Sequence, residues 1–135
     1  MTLDEFVLVS APNKAGKLFL AELVKRNVPV IALAACDEEA RLLRMLGAQQ
    51  VILLDPSIAN PWVIPEWMIS YVYLFEQDLA TCCRYVSICR AWTGRAIFVI
   101  TNCDHIKTIY KGLGADYVIH TNSLNVSFLI PHNTH

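Results

Sequence analysis

The sequence predicts an α/β fold: a doubly wound, six-stranded parallel sheet of strand order 3-2-1-4-5-6 with helices on both faces. Three observations predict it. Apolar segments of strand length alternate with helical segments along the chain, as in β-α-β units. The strand segments are apolar throughout, which is typical of strands buried on both faces. The helix–Gly–strand pattern of Arg41–Asp55 recurs at Thr108–Asn122, which indicates two halves of similar design.

The composition excludes some classes of function for this chain. Its 135 residues are the length of one domain. The chain is 55% hydrophobic and its net charge is −1, so nucleic acid is not an expected partner. No apolar run reaches the roughly 20 residues of a membrane span, and Thr2–Glu5 does not resemble the start of a signal peptide. We therefore expect a cytoplasmic protein without direct membrane insertion, whose irregularly spaced cysteines are reduced.

The first half of the chain predicts three strands and two helices. Each strand is a short apolar run, and each helix has its apolar residues at helical spacing. Asp37 is a candidate N-cap of the second helix, and Gly47 ends it. The predicted elements are strand Phe6–Ala11, helix Gly16–Arg26, strand Val28–Ala35, helix Glu38–Leu46 and strand Val51–Leu54.

The second half follows a proline-rich connection, Pro56–Trp67, which has no clear period and predicts a surface crossover. Asp78 is a candidate N-cap of the long helix that comes next. Residues 1–123 are predicted to form the domain and residues 124–135 a tail, whose apolar Phe128–Ile130 is expected to dock on the body or on a partner. The predicted elements are strand Met68–Phe75, helix Leu79–Trp92, strand Ala96–Thr101, helix Asp104–Leu113 and strand Tyr117–His120.

The turn between the first strand and the first helix is the candidate nucleotide site. In a Rossmann-like fold this turn reads G-x-G-x-x-G, and backbone N–H groups at the helix N-terminus hold a pyrophosphate. Here Ala11 and Asn13 occupy the first two glycine positions, and only Gly16, which lets the helix pack closely on the strand, is kept. The Asn13 side chain is predicted to intrude where the pyrophosphate would lie. Dinucleotide binding is therefore predicted to be weakened or lost.

The acid that holds the ribose hydroxyls at the end of the second strand in Rossmann sites is also missing. Its place falls at Ala34–Ala35, and the nearest carboxylate is that of Asp37. Compared with a phosphate loop, G-x-x-x-x-G-K-[ST], the first turn keeps Gly16–Lys17 but has Leu18 at the position of the magnesium-binding hydroxyl. Hydrolysis of a nucleoside triphosphate is therefore disfavoured.

Motifs for catalysis and for metal binding are weak. None of the five tyrosines has a lysine four residues later, as a short-chain dehydrogenase requires, and G-x-S-x-G does not occur. Cys103, His105 and His120 are residue types that bind zinc, but three ligands without a fourth favour ordinary structural positions. We therefore predict no catalytic residues and no metal ligands.

From Ile97 to Asn122 the chain resembles the last βαβ unit of the RCK or KTN (TrkA-N type) domains that regulate potassium channels and Trk/Ktr uptake systems. Upstream, Tyr71–Asp78 resembles the strand and acidic turn that precede this unit, and Phe6–Asp55 resembles the first half of such a domain. The residues that carry the resemblance in the last unit are Asn102, Asp104, Leu113–Asp116 and Val118–Ile119.

This resemblance implies a Rossmann fold that dimerises side by side, senses NAD(H) or an adenine nucleotide, and passes a conformational change to a potassium channel or transporter. The module would then be peripheral to the membrane through that partner. The predicted function is a non-enzymatic regulatory module, and the alternatives are an NAD(P)-binding oxidoreductase-like domain or a purely structural interaction module. The predicted cofactor-binding residues lie at or after the ends of the first four strands: Ser10, Ala11, Asn13, Lys14, Gly16, Asp37, Asp55 and Asp78.

Overall fold

The computed structural model describes residues 5–54, 68–102 and 107–130. The predicted bounds of β4, α3 and β6 agree with the structure, and the other bounds within these ranges differ from the prediction by at most two residues. The elements are β1 (Glu5–Ser10), α1 (Lys14–Lys25), β2 (Val30–Ala34), α2 (Asp37–Met45), β3 (Gln50–Leu53), β4 (Met68–Phe75), α3 (Leu79–Trp92), β5 (Ile97–Thr101), α4 (Lys107–Leu113), β6 (Tyr117–His120) and a 3₁₀ turn (Ser127–Leu129).

The strands form one sheet in the order β3-β2-β1-β4-β5-β6, which confirms the predicted topology. Every neighbouring pair is parallel. The strand order reverses between β1 and β4, so the carboxyl ends of these two strands mark the topological switch point. Open α/β sheets bind their ligands in the crevice at this point.

Helices cover both faces of the sheet, as predicted. Successive side chains of a strand point to opposite faces, and in β1 they do so throughout. Val7 and Val9 belong to the core under α1 and α2, whereas Phe6 and Leu8 belong to the core under α3 and α4. Because both faces of the central strands are buried, nearly all of their positions need apolar residues, and this explains their long hydrophobic runs.

Two glycines give the internal repeat its structural basis. Gly47 and Gly114 follow α2 and α4 with φ values of 110° and 124°, a left-handed conformation that favours glycine. Each also lies against a side chain of a neighbouring helix. A Cβ at either position would come within 2.7 Å of Val24 or Arg90, respectively. The predicted role of both glycines in ending a helix is confirmed.

Arg90 of α3 fixes the turn that follows α4. Its Nη1 donates to the carbonyl oxygen of Gly114 at 2.8 Å and to Oδ2 of Asp116 at 3.0 Å. Its Nη2 donates to two backbone carbonyls just after α3, and Asp116 Oδ2 also accepts from the N–H of Ile97 at 2.8 Å. In this chain the Leu-Gly-Ala-Asp segment therefore stabilises the fold.

The segment after β6 docks on the body, one of the two positions predicted for it. Val126 and Ile130 are buried in the core on the α1 face. The hydroxyl of Tyr73 donates to the carbonyl oxygen of Leu129 at 2.8 Å, which fastens the segment to β4. Phe128 lies between the buried residues and is 62% exposed.

The cysteines in the described ranges are free: Cys82 and Cys89 are buried, Cys83 is half-buried and Cys36 is exposed. Cys103 lies outside those ranges. Of the helices that the structure describes, none is long and apolar enough to cross a membrane.

Candidate functional site

Asn13 caps the N-terminus of α1, so the helix begins at Lys14 rather than at the predicted Gly16. The backbone of Asn13 is extended, and its Oδ1 accepts from the Gly16 N–H at 2.9 Å. Such a bond satisfies one of the N–H groups that have no partner within the helix. These are also the groups that bind phosphate at a helix N-terminus. The Asn13 side chain therefore occupies a donor that a pyrophosphate would use.

The amide nitrogen of the same side chain spans the switch point. Asn13 Nδ2 donates to the carbonyl oxygen of Glu76, which directly follows β4, at 3.1 Å. One amide thus links the turn after β1 to the turn after β4 at the topological switch point. We call this pair of hydrogen bonds, Gly16–Asn13–Glu76, the Asn13 bridge.

Gly16 allows the close contact between α1 and the sheet that the sequence predicts. A Cβ at this position would lie 2.8 Å from the Cα of Ala11 and 3.1 Å from the Phe75 ring. Ala11 is fully buried, and its carbonyl oxygen accepts from Lys17 Nζ at 3.0 Å. Ala11 and Gly16 therefore hold the turn together.

Two cavities lie at this end of the sheet, and Asn13 and Glu76 line the second of them. The β2-side cavity, of about 190 Å³, lies at the carboxyl ends of β1 and β2. The β5-side cavity, of about 230 Å³, lies at the carboxyl ends of β5 and β6, and Phe75 lines both. Each is smaller than the roughly 300 Å³ at which pockets for drug-sized ligands begin. The polar lining of the β2-side cavity comprises Ser10, Glu39, Gln77, Asp78 and Thr81.

Four of the eight predicted cofactor-binding residues line these cavities, and Ala11, Gly16 and Asp37 line neither of them. Ser10 and Asp78 line the β2-side cavity, whereas Asn13 and Lys14 line the β5-side cavity. Asp55 lies outside the described residues.

Asp37 is not the N-cap that the sequence predicts. The helix α2 begins at Asp37 itself, and Cys36 holds the N-cap position without a side-chain hydrogen bond. The carboxylate that turns back is that of Glu39, whose Oε1 accepts from the Ala35 N–H at 2.7 Å. The reason is helix geometry, since the third helical residue reaches back to the start of a helix in a capping box. Glu39 lies three residues after Cys36, and this spacing was the signal in the sequence that the Glu39 side chain would turn back.

Asp78 is the N-cap of α3, as predicted. Its Oδ1 accepts from the Thr81 N–H and its Oδ2 from the Thr81 hydroxyl, both at 3.0 Å. Both carboxylate oxygens therefore have partners within the helix start. Asp78 forms a wall of the β2-side cavity while it caps the helix.

Glu76 is a site residue that sequence reasoning missed, and its position directly after β4 was the only signal. Its carboxylate accepts hydrogen bonds from the hydroxyls of Thr101 and Tyr110. Burial, followed by this hydrogen bond, raises the pKa of Tyr110. Burial also raises the pKa of the neighbouring Cys82 thiol to about 12. The phenol and the thiol beneath the crevice are therefore neutral at physiological pH.

The described residues contain no group of three or more His, Cys, Asp or Glu side chains placed to hold a metal ion. His120 Nε2 lies 3.1 Å from the carbonyl oxygen of Asn102. Cys103 and His105, the other two residues considered as zinc ligands, lie outside the described ranges.

No protein-family model and no curated protein matches the sequence. Solved structures share its fold. The NAD(P)-binding domain of an exopolyphosphatase-related protein from Archaeoglobus fulgidus is 20% identical, with a TM-score of 0.70 and 87% of each chain covered. The TrkA-N domain of the inner membrane protein ybaL from Escherichia coli is 16% identical, with a TM-score of 0.66 and 88% of each chain covered.

A third similar structure is the GsuK channel bound to NAD, which is 13% identical, with a TM-score of 0.66. The match covers 87% of this chain but 21% of the channel chain. The chain therefore has the fold of NAD(P)-binding and TrkA-N domains. This confirms the fold that the resemblance to RCK or KTN domains implied.

Proposed function

We propose that this chain is a non-enzymatic, nucleotide-sensing regulatory module of the Rossmann type in which the Asn13 bridge weakens dinucleotide binding. The bridge is the observation that carries the proposal. It crosses a crevice at the topological switch point, where sheets of this topology bind nucleotides. Support also comes from the solved neighbours, of which one is named as an NAD(P)-binding domain and another as bound to NAD.

Thermal-shift measurements with NAD(H), NADP(H), ATP, ADP and AMP test this function. A ligand at 100 times its dissociation constant stabilises the folded state by about 2.7 kcal/mol. We expect a rise in melting temperature with at least one adenine nucleotide. No rise with any of them would contradict nucleotide sensing and favour a structural interaction module. A rise with NADPH together with turnover of a carbonyl substrate would favour an oxidoreductase-like domain.

Replacing Asn13 with glycine should strengthen NAD binding at least tenfold, or about 1.4 kcal/mol. The substitution frees the Gly16 N–H for a phosphate and removes the amide from the crevice, and one hydrogen bond to a charged group contributes about 1.5–3 kcal/mol. Glycine is itself a tolerated N-cap, so the helix should persist. Isothermal titration calorimetry measures the change.

The matched control is Asn13→Asp. Aspartate keeps the cap on Gly16 and adds a negative charge, so it should not strengthen NAD binding. If a folded Asn13→Gly protein bound NAD no better than the unsubstituted protein, the bridge would not be what limits dinucleotide binding.

We also propose that the module forms a homodimer and regulates a potassium channel or transporter from the cytoplasmic side of the membrane. Exposed apolar side chains on β6 and on the segment that follows it support an interface there. Tyr117 of β6 is 52% exposed and stacks on Phe98 of β5 at 4.9 Å between ring centroids. Phe128 and Leu124, on the segment that follows β6, are also exposed.

The dimer gives a prediction for sedimentation equilibrium at micromolar concentration. The unsubstituted protein should sediment as a dimer, and Phe128→Ser should shift it toward the monomer because it removes an apolar side chain from the interface. Met45→Ser is the control, since Met45 is 83% exposed at the end of α2, a helix that packs on β2 and β3 at the other edge of the sheet. A monomer at every concentration tested would contradict the dimer.

A further inference from the structure

The β5-side cavity is lined by a lysine whose charge has no partner in the part of the chain that the structure describes. We propose that this cavity binds a small organic monocarboxylate, and that Lys14 and the carboxamides of Asn102 and Asn122 hold its carboxylate group. Such a ligand is a second effector of the module, of a different chemical class from a nucleotide. The inference goes beyond the proposed nucleotide-sensing function and does not depend on it.

The charge of Lys14 is the first argument. Of the described residues that line the cavity, Lys14 is the only one with a cationic side chain, and it is exposed. Within the described ranges its ammonium group makes neither a hydrogen bond nor an ion pair, whereas that of Lys17, one turn later in α1, donates to the carbonyl oxygen of Ala11. An ammonium group has three donors, so Lys14 can bind an anion in the cavity.

The place of Lys14 in its helix is the second argument. Lys14 is the first residue of α1, where the helix dipole disfavours a positive charge, and the first turn has no acidic residue to offset it. The charge therefore lowers the stability of α1 in the free protein. A residue that breaks a local rule of stability in this way is typical of a functional site, and a bound anion would compensate for the charge.

The two carboxamides are the third argument. The neighbouring parallel strands β5 and β6 lead into the same dipeptide, Thr101–Asn102 and Thr121–Asn122. The N–H of Thr121 donates to the carbonyl oxygen of Thr101 at 2.9 Å, which holds the two dipeptides side by side. All four residues line the cavity, and neither carboxamide has a hydrogen-bond partner within the described ranges. Each carboxamide nitrogen is therefore free to donate to a carboxylate oxygen.

The remaining lining selects the class of ligand. Phe75, Ile100 and Leu124 give the cavity apolar walls, which suit a short hydrocarbon chain. Glu76 also lines it, with one carboxylate oxygen accepting from a threonine hydroxyl and the other from a tyrosine hydroxyl. Its negative charge repels a phosphate dianion more strongly than a monoanion. Because the cavity of about 230 Å³ is smaller than a pocket for a drug-sized molecule, a short-chain monocarboxylate fits it best.

Nuclear magnetic resonance titration of the full ¹⁵N-labelled chain with butyrate tests the assignment. Butyramide is the matched ligand, since it has a similar size and no charge. Butyrate should shift the side-chain amide signals of Asn102 and Asn122 and should bind at least tenfold more tightly than butyramide, because a hydrogen bond between charged groups is worth at least that factor. Inorganic phosphate at the same ionic strength should bind more weakly than butyrate.

Lys14→Met removes the charge but keeps a long, unbranched side chain. It should weaken butyrate binding at least tenfold, and without ligand it should raise the urea midpoint of unfolding because the helix start loses an unfavourable charge. Lys25→Met is the matched control, since Lys25 is exposed in the last turn of the same helix. It should leave butyrate binding unchanged and lower the urea midpoint, because a cation is favourable at that end.

The outcomes that contradict the site differ from those that contradict nucleotide sensing. Equal binding of butyrate and butyramide, tighter binding of phosphate than of butyrate, or unchanged butyrate binding by folded Lys14→Met would overturn the monocarboxylate site. A melting-temperature rise with a nucleotide but no response to butyrate would overturn this site alone. Butyrate binding without a response to any nucleotide would support this site and contradict the proposed function. The ligand comparison uses the unsubstituted protein, so it decides the ligand class even if Lys14→Met does not fold.

Discussion

The protein should lose stability steeply above pH 9 and should unfold near pH 11. The cause is a set of four weak acids in the core, each held neutral by its surroundings. Burial is the main reason that the pKa is raised in every case, and it raises that of Cys82 to about 12. The four groups are the phenols of Tyr73 and Tyr110 and the thiols of Cys82 and Cys89.

The sign of the effect follows from proton linkage. In the unfolded chain cysteine ionises near pH 8.5 and tyrosine near pH 10, whereas the folded protein keeps these protons to higher pH. Above those values unfolding releases protons, so the free energy of unfolding falls by about 1.4 kcal/mol per pH unit for each group. Below about pH 8 both states keep the protons, and this stability is fully present. The loss by pH 11 is on the order of 10 kcal/mol, comparable with the whole stability of a domain.

Urea unfolding between pH 7 and pH 11 in reducing buffer measures this dependence. Cys89→Ala should reduce the slope of stability against pH above pH 9 by about 1.4 kcal/mol per unit, because it removes one buried acid. Cys36→Ala is the matched control, since Cys36 is an exposed thiol. Stability that stayed constant from pH 8 to pH 11 would contradict the prediction.

The topology could be predicted because it depends on patterns that are local in the sequence. Fully apolar strands predict a sheet covered on both faces, and the structure has α1 and α2 on one face and α3 and α4 on the other. Gly47 and Gly114 indicated the ends of two helices, because the residue after each helix has a left-handed backbone conformation, which favours glycine. The bounds of β4 and α3 could be placed because a strong N-cap, Asp78, lies between them.

The details of the site could not be predicted in the same way. The Asn13 bridge joins residues that are 63 positions apart, and no local pattern indicates which carbonyl the amide reaches. The sequence favours Asp37 as the acid near β2, because Asp37 is closer to that strand in sequence than Glu39. Helix geometry reverses that order, since the side chain of the third helical residue turns back toward the strand end whereas the first one is exposed.

Gly16→Ala should lower the free energy of unfolding by about 1–3 kcal/mol, the usual cost of overpacking a close contact. The added Cβ would lie 2.8 Å from the Cα of Ala11, and this contact is with backbone, which cannot move aside as a flexible side chain can. The sign of the change in unfolding free energy tests the prediction, because alanine normally stabilises a helix relative to glycine by about 1 kcal/mol.

Gly112→Ala supplies the comparison within the same chain. Gly112 lies on the exposed side of α4, and a Cβ there would meet no atom within 4 Å, so alanine should stabilise the protein by about 0.5–1 kcal/mol. Chemical denaturation of both variants gives the two values. Stabilisation by Gly16→Ala would mean that α1 can move away from β1. The turn that carries the Asn13 bridge would then be less tightly fixed than the contact between Ala11 and Gly16 requires.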